Sequence, residues 1–361
     1  MLNPSASAVP PLGRNTWMGW ATVLWLSLVC SLALFGGLFT LAPVDKTEAL
    51  QIGIAETMLR LQEWVVPQWN GHLYADKPPL PYWLAMVVWQ WFGLTPELAR
   101  LPAAICATLG VAVIAWLLQR VARRELPARE AWLRAALAGT LLALSPGWIV
   151  FAHSAVHDIY LSVAITLALA GYAIGFCMPE SPFRPRRWAA WIGFWCGVGF
   201  LSKGLLGIGL PLLIIGADCC LRGETRRVIL RPLPLLQMGT AMLVVISPWL
   251  AGLIAGRRWD YLQGFIGFSN LQRATQAVDG HHQHPLFYLP VLLALLWRGG
   301  RCCCPRCSSS GSGAGPGGRL QAWIDCSSWR QCGCCSGLCC SARSPPNWPG
   351  TCCPSCRPPY C

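Results

Sequence analysis

Charged side chains are scarce in this sequence of 361 residues, at 12% against 54% apolar residues. Soluble domains carry roughly 25% charged residues, so this scarcity excludes an ordinary soluble protein. The net charge of +13 could suggest nucleic acid, but the chain lacks a basic stripe with interleaved aromatic residues. Its basic residues instead cluster between apolar runs, which is typical of the cytoplasmic loops of membrane proteins. The expected surroundings are therefore membrane lipids, with no nucleic acid partner.

The N-terminal region lacks the features of a cleaved leader. Residues 16–41 are apolar for about 26 positions, which is long enough to cross a hydrocarbon core of ~30 Å. The apolar region of a signal peptide has only about 7–15 residues, and no small-residue cleavage pattern follows closely. We therefore predict a cytoplasmic segment at residues 1–15, followed by an uncleaved first span.

Apolar runs along the chain predict about eight transmembrane helices. Their approximate bounds are residues 16–41, 101–118, 132–150, 159–178, 188–201, 205–219, 233–254 and 286–297. Arginine clusters follow the second, fourth and sixth runs, and the positive-inside rule assigns these clusters to the cytoplasm. The polar segments at residues 43–100, 153–158, 203 and 257–283 are then expected together on the outer side.

The first outer loop, residues 43–100, is rich in carboxylates. Five of the fifteen acidic residues lie between positions 45 and 83, namely Asp45, Glu48, Glu56, Glu63 and Asp76. Carboxylates gathered where a helix leaves the bilayer suggest a functional site, with a solvated loop as the alternative. Within this loop, apolar residues at helical spacing predict an amphipathic helix at residues 79–92 on the membrane surface. A short transmembrane hairpin is the alternative there.

The tail at residues 298–361 lacks histidine and long apolar runs, and it holds fourteen of the twenty cysteines. The pairs Cys304/Cys307 and Cys353/Cys356 have metal-ligand spacing, so a zinc module and a disulfide module are two alternatives. The favoured interpretation is an aberrant or disordered segment, such as a shifted reading frame in place of the real C-terminal half.

Several short motifs follow one another along residues 16–296. They are Asp45-Lys46-Thr47-Glu48, Glu63-Trp64-Val65-Val66-Pro67, Asn70-Gly71, Asp76-Lys77-Pro78-Pro79-Leu80-Pro81-Tyr82-Trp83, Ala99-Arg100-Leu101-Pro102, His157-Asp158, Leu201-Ser202-Lys203-Gly204, Ser247-Pro248-Trp249, and His284-Pro285 with Tyr288-Leu289-Pro290. This series resembles the polyprenol-phosphate-sugar-dependent glycosyltransferases, which include the protein O-mannosyltransferases and the lipid A aminoarabinose transferase. The resemblance implies an all-α polytopic membrane protein with a GT-C helical bundle at residues 16–297 and juxtamembrane helices in its first outer loop.

The resemblance also implies a reaction. An inverting enzyme of this family moves a sugar from a polyprenyl-phosphate donor to a protein, lipid or polysaccharide acceptor on the outer, periplasmic face of a bacterial inner membrane. Asp45 matches the family's catalytic aspartate, and a positioned carboxylate base typically contributes about 10²–10⁴-fold. Many relatives carry Asp-Glu at this point, whereas here Glu48 follows Asp45 by one helical turn, where it could orient Asp45 or the sugar.

Two lysines match positions that the family places near the lipid phosphate. Lys77 and Lys203 would stabilise the negative charge of the departing phosphate. Lys203 is the only charge between two apolar runs, which is costly unless it is used, while Lys77 could instead lie near lipid headgroups. Asp158 would contact sugar hydroxyls or orient Lys77, with a helix N-cap as the alternative.

The remaining expected substrate-binding residues are scattered along the chain. They are Asp76, Tyr82, Arg258, Asn270, Arg273 and His284. His281, His282 and His284 could bind a divalent metal with Asp76 or Asp279, although a solvated loop is favoured and no cofactor is otherwise expected.

Two other functions stay open at this point. A transporter or lipid flippase would explain many spans, but it should show paired halves with broken helices, which the sequence lacks. An inactive remnant is the second alternative, because the family usually has more spans and often a soluble C-terminal domain.

Overall fold

The computed structural model describes residues 16–40, 45–178 and 185–267, and this part of the chain is almost entirely helical. Its α-helices are α1 (Thr16–Leu34), α2 (Lys46–Leu61), α3 (Leu80–Phe92), α4 (Leu101–Ala122), α5 (Ala128–Ala143), α6 (Pro146–Ala152), α7 (Asp158–Tyr172), α8 (Pro185–Lys203), α9 (Leu206–Leu221), α10 (Gly223–Ile229), α11 (Pro232–Ala255) and α12 (Trp259–Gln263). A 3₁₀ turn (Pro96–Arg100) leads into α4, and a π turn (Ala173–Cys177) extends α7. The strands β1 (Gln68–Trp69) and β2 (His72–Leu73) form one antiparallel hairpin.

Within the described residues, four helical segments are long and apolar enough to cross a membrane, namely Trp17–Leu34, Pro96–Ala122, Asp158–Cys177 and Pro232–Ala255. The pair α5 and α6 adds a fifth if its 63° bend lies within one span. Helices α8 and α9 occupy the positions of the fifth and sixth predicted spans. The predicted all-α polytopic fold is confirmed, whereas the eighth predicted span, at residues 286–297, lies outside the described residues.

The first span is shorter than predicted. Helix α1 ends at Leu34, although the apolar run continues to Leu41. Gly37 has a φ of 77°, a left-handed conformation that glycine adopts without a steric penalty, and the chain turns there. Apolar composition alone therefore overestimated the length of this helix by several residues.

Small residues allow the bundle helices to approach closely, as is usual in membranes. A β-carbon on Gly193 of α8 would lie 1.9 Å from the carbonyl oxygen of Met238 on α11, so only glycine permits this contact. The outer faces carry large apolar side chains, for example Leu213 and Val244, which are both 70% exposed. Such surfaces are stable only in lipid, so the chain is an integral membrane protein.

The first loop folds into a helical platform. Helices α2 and α3 share an apolar cluster that includes Ile54, Met58, Met86 and Trp89. The predicted helix at residues 79–92 is confirmed as α3, and because it is a single helix of 13 residues, the hairpin alternative is excluded. This helix buries Tyr82, Ala85, Met86 and Trp89, while Trp91 at its far end is 81% exposed.

The turn between β1 and β2 is formed by residues that favour positive φ values. Asn70 and Gly71 have φ values of 50° and 76°, the pair of positive values that a type I′ hairpin turn requires. Gln68 pairs with Leu73 and Trp69 with His72. The Asn70-Gly71 pair therefore forms the turn, which returns the chain toward the Asp76-Lys77 segment.

Candidate active site

The segment that carries Asp76 and Lys77 is held against the bundle by hydrogen bonds to its backbone. The indole Nε1 of Trp249 donates to the carbonyl of Val65 at 2.9 Å, and the hydroxyl of Tyr261 donates to the carbonyl of Lys77 at 2.7 Å. Both aromatic rings belong to an apolar cluster with Leu201 at the end of α8. The first loop, α8, α11 and α12 therefore meet at this place.

Lys77 lies in a half-buried ion pair. Its Nζ is 3.2 Å from Oδ2 of Asp76, and the two side chains are 21% and 20% exposed. The hydroxyl of Tyr74 donates to the same carboxylate oxygen at 3.2 Å. The positive charge is thus fixed in position and remains accessible to a ligand.

A second half-buried pair joins the ends of two bundle helices. Lys203 is the last residue of α8, and its Nζ donates to Oδ1 of Asp158, the first residue of α7. Lys203 is 27% and Asp158 40% exposed. Gly204 has a φ of 75° and ends α8 directly after the lysine. Asp158 lies inside the first turn of α7, and His157 precedes the helix, so the N-cap alternative is wrong. The carboxylate of Asp158 instead contacts Lys203.

His157 connects the two pairs. The residue is 2% exposed, and its ring meets the ring of Tyr82 edge-on at 5.1 Å between centroids. Burial lowers the pKa of His157 to about 3, and the charges of Lys77 and, less strongly, Lys203 act in the same direction. Both lysines therefore lie close enough to act on one neutral imidazole.

Asp45 stands at the beginning of α2. Its backbone is extended, with a φ of −122° and a ψ of 145°, and its side chain is exposed and does not cap the helix. Among the residues that the structure describes, Asp45 forms no ion pair with either lysine. The carboxylate is thus directed to the surface, where an acceptor could reach it.

Glu48 has a different environment from Asp45, although only three residues separate them. It is 1% exposed and forms a bidentate pair with Arg100, with Nε–Oε1 at 2.6 Å and Nη2–Oε2 at 2.9 Å. The amide of Ala155 donates to Oε1 at 3.0 Å. This pair joins α2 to the start of α4 and to the connection before α7.

The other expected substrate-binding residues lie around this region or beyond it. Tyr82 is 1% exposed, and burial raises the pKa of its hydroxyl well above the usual value. Arg258 is half-buried and directly precedes α12, the helix that carries Tyr261. The expected residues Asn270, Arg273 and His284, together with the possible metal ligands His281, His282 and Asp279, lie outside the described residues. Within the described ranges, no three acidic, histidine or cysteine side chains form a metal-binding group.

Comparison with known proteins supports the class that this fold and site suggest. A model of the family described as dolichyl-phosphate-mannose-protein mannosyltransferase matches residues 76–251. The crystal structure of ArnT from Cupriavidus metallidurans bound to undecaprenyl phosphate superposes with a TM-score of 0.65 and 28% identity, over 77% of this chain and 49% of that one. The chain belongs to the GT-C family of glycosyltransferases.

Two similar curated proteins carry the same name. The undecaprenyl phosphate-alpha-4-amino-4-deoxy-L-arabinose arabinosyl transferase of Pseudomonas aeruginosa (strain UCBPP-PA14) is 30% identical over 280 residues, which are 73% of this chain and 47% of that protein. The protein of the same name from Aeromonas salmonicida is 29% identical, over 74% and 48% of the two chains. The chain thus spans about half the length of the curated relatives that it matches.

Proposed function

We propose that this chain carries the donor-binding site of an inverting glycosyltransferase whose donor is a sugar linked to a polyprenyl phosphate. The observation that supports the proposal is the pair of half-buried lysines, Lys77 and Lys203, each held by a neighbouring aspartate and both adjacent to the buried His157. The related ArnT of known structure is bound to undecaprenyl phosphate. The similar aminoarabinose transferases suggest that the sugar is 4-amino-4-deoxy-L-arabinose.

The two lysines would bind the phosphate of the donor. As the bond between the sugar and the phosphate breaks, the phosphate gains negative charge, and fixed cations stabilise that charge most strongly where water is partly excluded. Asp76 and Asp158 would keep the lysine side chains in position before the donor binds. His157 is neutral, so it would not compete with the lysines for the phosphate, and its ring contact with Tyr82 would help to hold α3 next to the start of α7.

Asp45 would act as the general base. In the proposed step, an acceptor hydroxyl attacks the anomeric carbon from the face opposite the phosphate and forms the new glycosidic bond. The hydroxyl proton passes to Asp45, the old bond breaks, and the electron pair leaves with the polyprenyl phosphate. The exposed position of Asp45 at the start of α2 is compatible with an acceptor that approaches from solvent or from the membrane surface.

Glu48 would position this base without contacting the substrate. Its carboxylate is bound to Arg100 and to the amide of Ala155 and is almost completely buried. Since it lies one helical turn after Asp45, this anchor would fix the beginning of α2 relative to the bundle. Arg258, Asp76 and Tyr82 would shape the donor pocket, and Asn270, Arg273 and His284 stay predictions of the sequence.

We place the site on the outer, periplasmic face of the membrane. The exposed Arg120 and Arg187 lie at the ends of α4 and α8 away from Asp158 and Lys203. Excess arginine marks the cytoplasmic side, so the lysine pairs would lie on the opposite side. The acceptor on that side would be a lipid, a protein or a polysaccharide.

The experiment is sugar transfer in proteoliposomes from radiolabelled polyprenyl-phosphate donors, one of which carries aminoarabinose. Because the chain spans about half of its relatives, a chimera that joins residues 1–297 to the C-terminal half of a relative is tested in parallel. Transfer should fall about 10²–10⁴-fold in Asp45→Asn. The control Glu56→Gln, which changes a half-buried carboxylate of α2 that pairs with Arg60, should be active. Transfer that survives Asp45→Asn, or no transfer by chain and chimera with every donor, would contradict the proposal.

A further inference from the structure

An apolar groove lies between α4, α7 and α8, separate from the candidate active site. Its volume is about 390 Å³, and its walls include Leu109, Ala112, Trp116, Trp188, Trp191 and Trp195. It follows the second half of α4 and the first half of α8. The active-site residues Asp158 and Lys203 lie at the opposite ends of α7 and α8.

The tryptophan wall of the groove is rigid. A β-carbon on Gly171 would lie 2.3 Å from Cδ1 of Trp191, and one on Gly175 would lie 2.3 Å from Cβ of Trp188. These glycines let Trp191 and Trp188 approach the backbone of α7 and its π turn closely. The Nε1 of Trp191 donates to the carbonyl of Leu167 at 2.9 Å, which fixes its ring. The rings therefore line the groove and do not fill it.

The groove opens toward the lipid. Trp116 is 46%, Leu109 42% and Trp191 39% exposed. The α4 and α7 walls belong to segments that are long and apolar enough to cross a membrane, so the opening is expected to face hydrocarbon chains. An apolar groove of this size at this depth would hold part of a lipid chain.

Positive charges lie at one end of the groove. Arg120 follows Trp116 by four residues on α4, and Arg187 precedes Trp191 by four residues on α8, so each arginine shares the helix face of a groove tryptophan. Both arginines are exposed. The facing pairs Gly171–Trp191 and Gly175–Trp188 show that α8 runs antiparallel to α7, which brings its Arg187 to the end where α4 carries Arg120.

We propose that this groove binds an anionic glycerophospholipid of the cytoplasmic leaflet, with an acyl chain against the tryptophans and the phosphate headgroup at Arg120 and Arg187. Guanidinium groups bind phosphate through two parallel hydrogen bonds, and basic residues beside transmembrane helices attract anionic lipids. A zwitterionic phospholipid fits the apolar walls equally well but gains less from the two arginines. The charge of the headgroup therefore determines which phospholipid binds more tightly.

Native mass spectrometry of the purified full chain tests the headgroup preference, with phosphatidylglycerol and phosphatidylethanolamine of the same acyl composition. The wild type should bind one phosphatidylglycerol in preference to phosphatidylethanolamine. Affinity for phosphatidylglycerol should fall about fivefold for each arginine removed in Arg120→Gln and Arg187→Gln. The control pair Arg129→Gln and Arg134→Gln removes two exposed arginines from α5, away from the groove, and should retain the preference.

A second variant tests the groove itself. Ala112→Phe should fill the groove and weaken both phospholipids, whereas Leu141→Phe on the exposed face of α5 should weaken neither. Equal binding of the two headgroups by the wild type, or equal losses in the two arginine pairs, would overturn the proposal. Displacement of phosphatidylglycerol by undecaprenyl phosphate in the wild type, but not in the Arg120/Arg187 variant, would reassign the groove to the polyprenyl lipid.

Discussion

Two groups of ion pairs near the candidate active site differ in their burial. At the anchor, which consists of Glu48 and Arg100, both side chains are 1% exposed. At the clamp, which consists of the pairs Lys77–Asp76 and Lys203–Asp158, the side chains are between 20% and 40% exposed. A pair that is sealed from solvent can only hold elements together, whereas a half-exposed pair can exchange a partner for a ligand. Burial, and not charge alone, therefore distinguishes the anchor from the pairs that we propose to bind the donor phosphate.

The largest predicted effect concerns the stability of the anchor. Arg100→Ala should lower the free energy of unfolding by about 3–5 kcal/mol, because Glu48 is left as a buried charge without its partner. Thermal unfolding in detergent measures this loss. Arg60→Ala is the matched control, since that arginine pairs with Glu56 at the surface, 68% exposed, and should cost at most about 0.5 kcal/mol. Similar losses in the two variants would contradict the distinction between the regions.

Substitutions in the clamp should lower activity and leave stability almost unchanged. Lys77→Ala and Lys203→Ala are each expected to lower kcat about 10²–10³-fold while the unfolding temperature changes little, because each removes a cation that acts on the leaving phosphate. Transfer assays on the chain or the chimera measure the loss. Lys46→Ala, which removes an exposed lysine next to Asp45, serves as the control. Unchanged kcat in both clamp variants would mean that these lysines do not bind the reacting phosphate.

The third prediction concerns pH and the histidine between the two pairs. The pKa of His157 is lowered from 6.5 to about 3 in the folded chain, so the unfolded chain binds more protons between these values. The stabilisation is fully present above pH 6.5 and is lost as the pH falls toward 3, by up to about tenfold in the unfolding equilibrium per pH unit. In His157→Phe this part of the acid sensitivity should disappear, as measured by unfolding between pH 7 and pH 4. An unchanged pH profile would show that the imidazole is not buried.

The smallest predicted effect tests the attachment of the clamp. Tyr261→Phe removes the hydrogen bond to the carbonyl of Lys77 and should cost about 1 kcal/mol, which corresponds to about fivefold in kcat/KM if the loop position controls donor binding. The effect should appear mainly in KM for the donor. A loss confined to kcat would place Tyr261 in the chemical step and contradict the attachment role.

Local patterns predicted the local structure well. Helical spacing predicted α3, and apolar runs predicted the positions of the bundle helices. The predicted amphipathic pattern did not show which face of α3 would be buried, because apolar side chains lie on both its buried and its exposed face, and packing against α2 decides its orientation. The early end of α1 depends on one glycine conformation inside a continuous apolar run.

Contacts between residues far apart in the chain could not be predicted from the sequence. Glu48 and Arg100 are 52 positions apart, and nothing in either motif indicates that they pair. Tyr261 and Lys77 are separated by 184 positions, and Tyr261 belongs to none of the motifs described above. His157 belongs to a motif, but its sequence position does not indicate that it is buried. A buried polar group needs a hydrogen-bond partner, but a single sequence does not show which residue that partner is.

The most direct test of the account is lysine modification, because the chain has only three lysines, Lys46, Lys77 and Lys203. Reductive methylation is followed by peptide mass spectrometry, with no lipid, with undecaprenyl phosphate, and with undecaprenol, which lacks the phosphate. We predict that undecaprenyl phosphate protects Lys77 and Lys203, that undecaprenol protects neither, and that the exposed Lys46 is modified in every case. Equal modification of all three lysines with and without undecaprenyl phosphate would contradict the phosphate clamp.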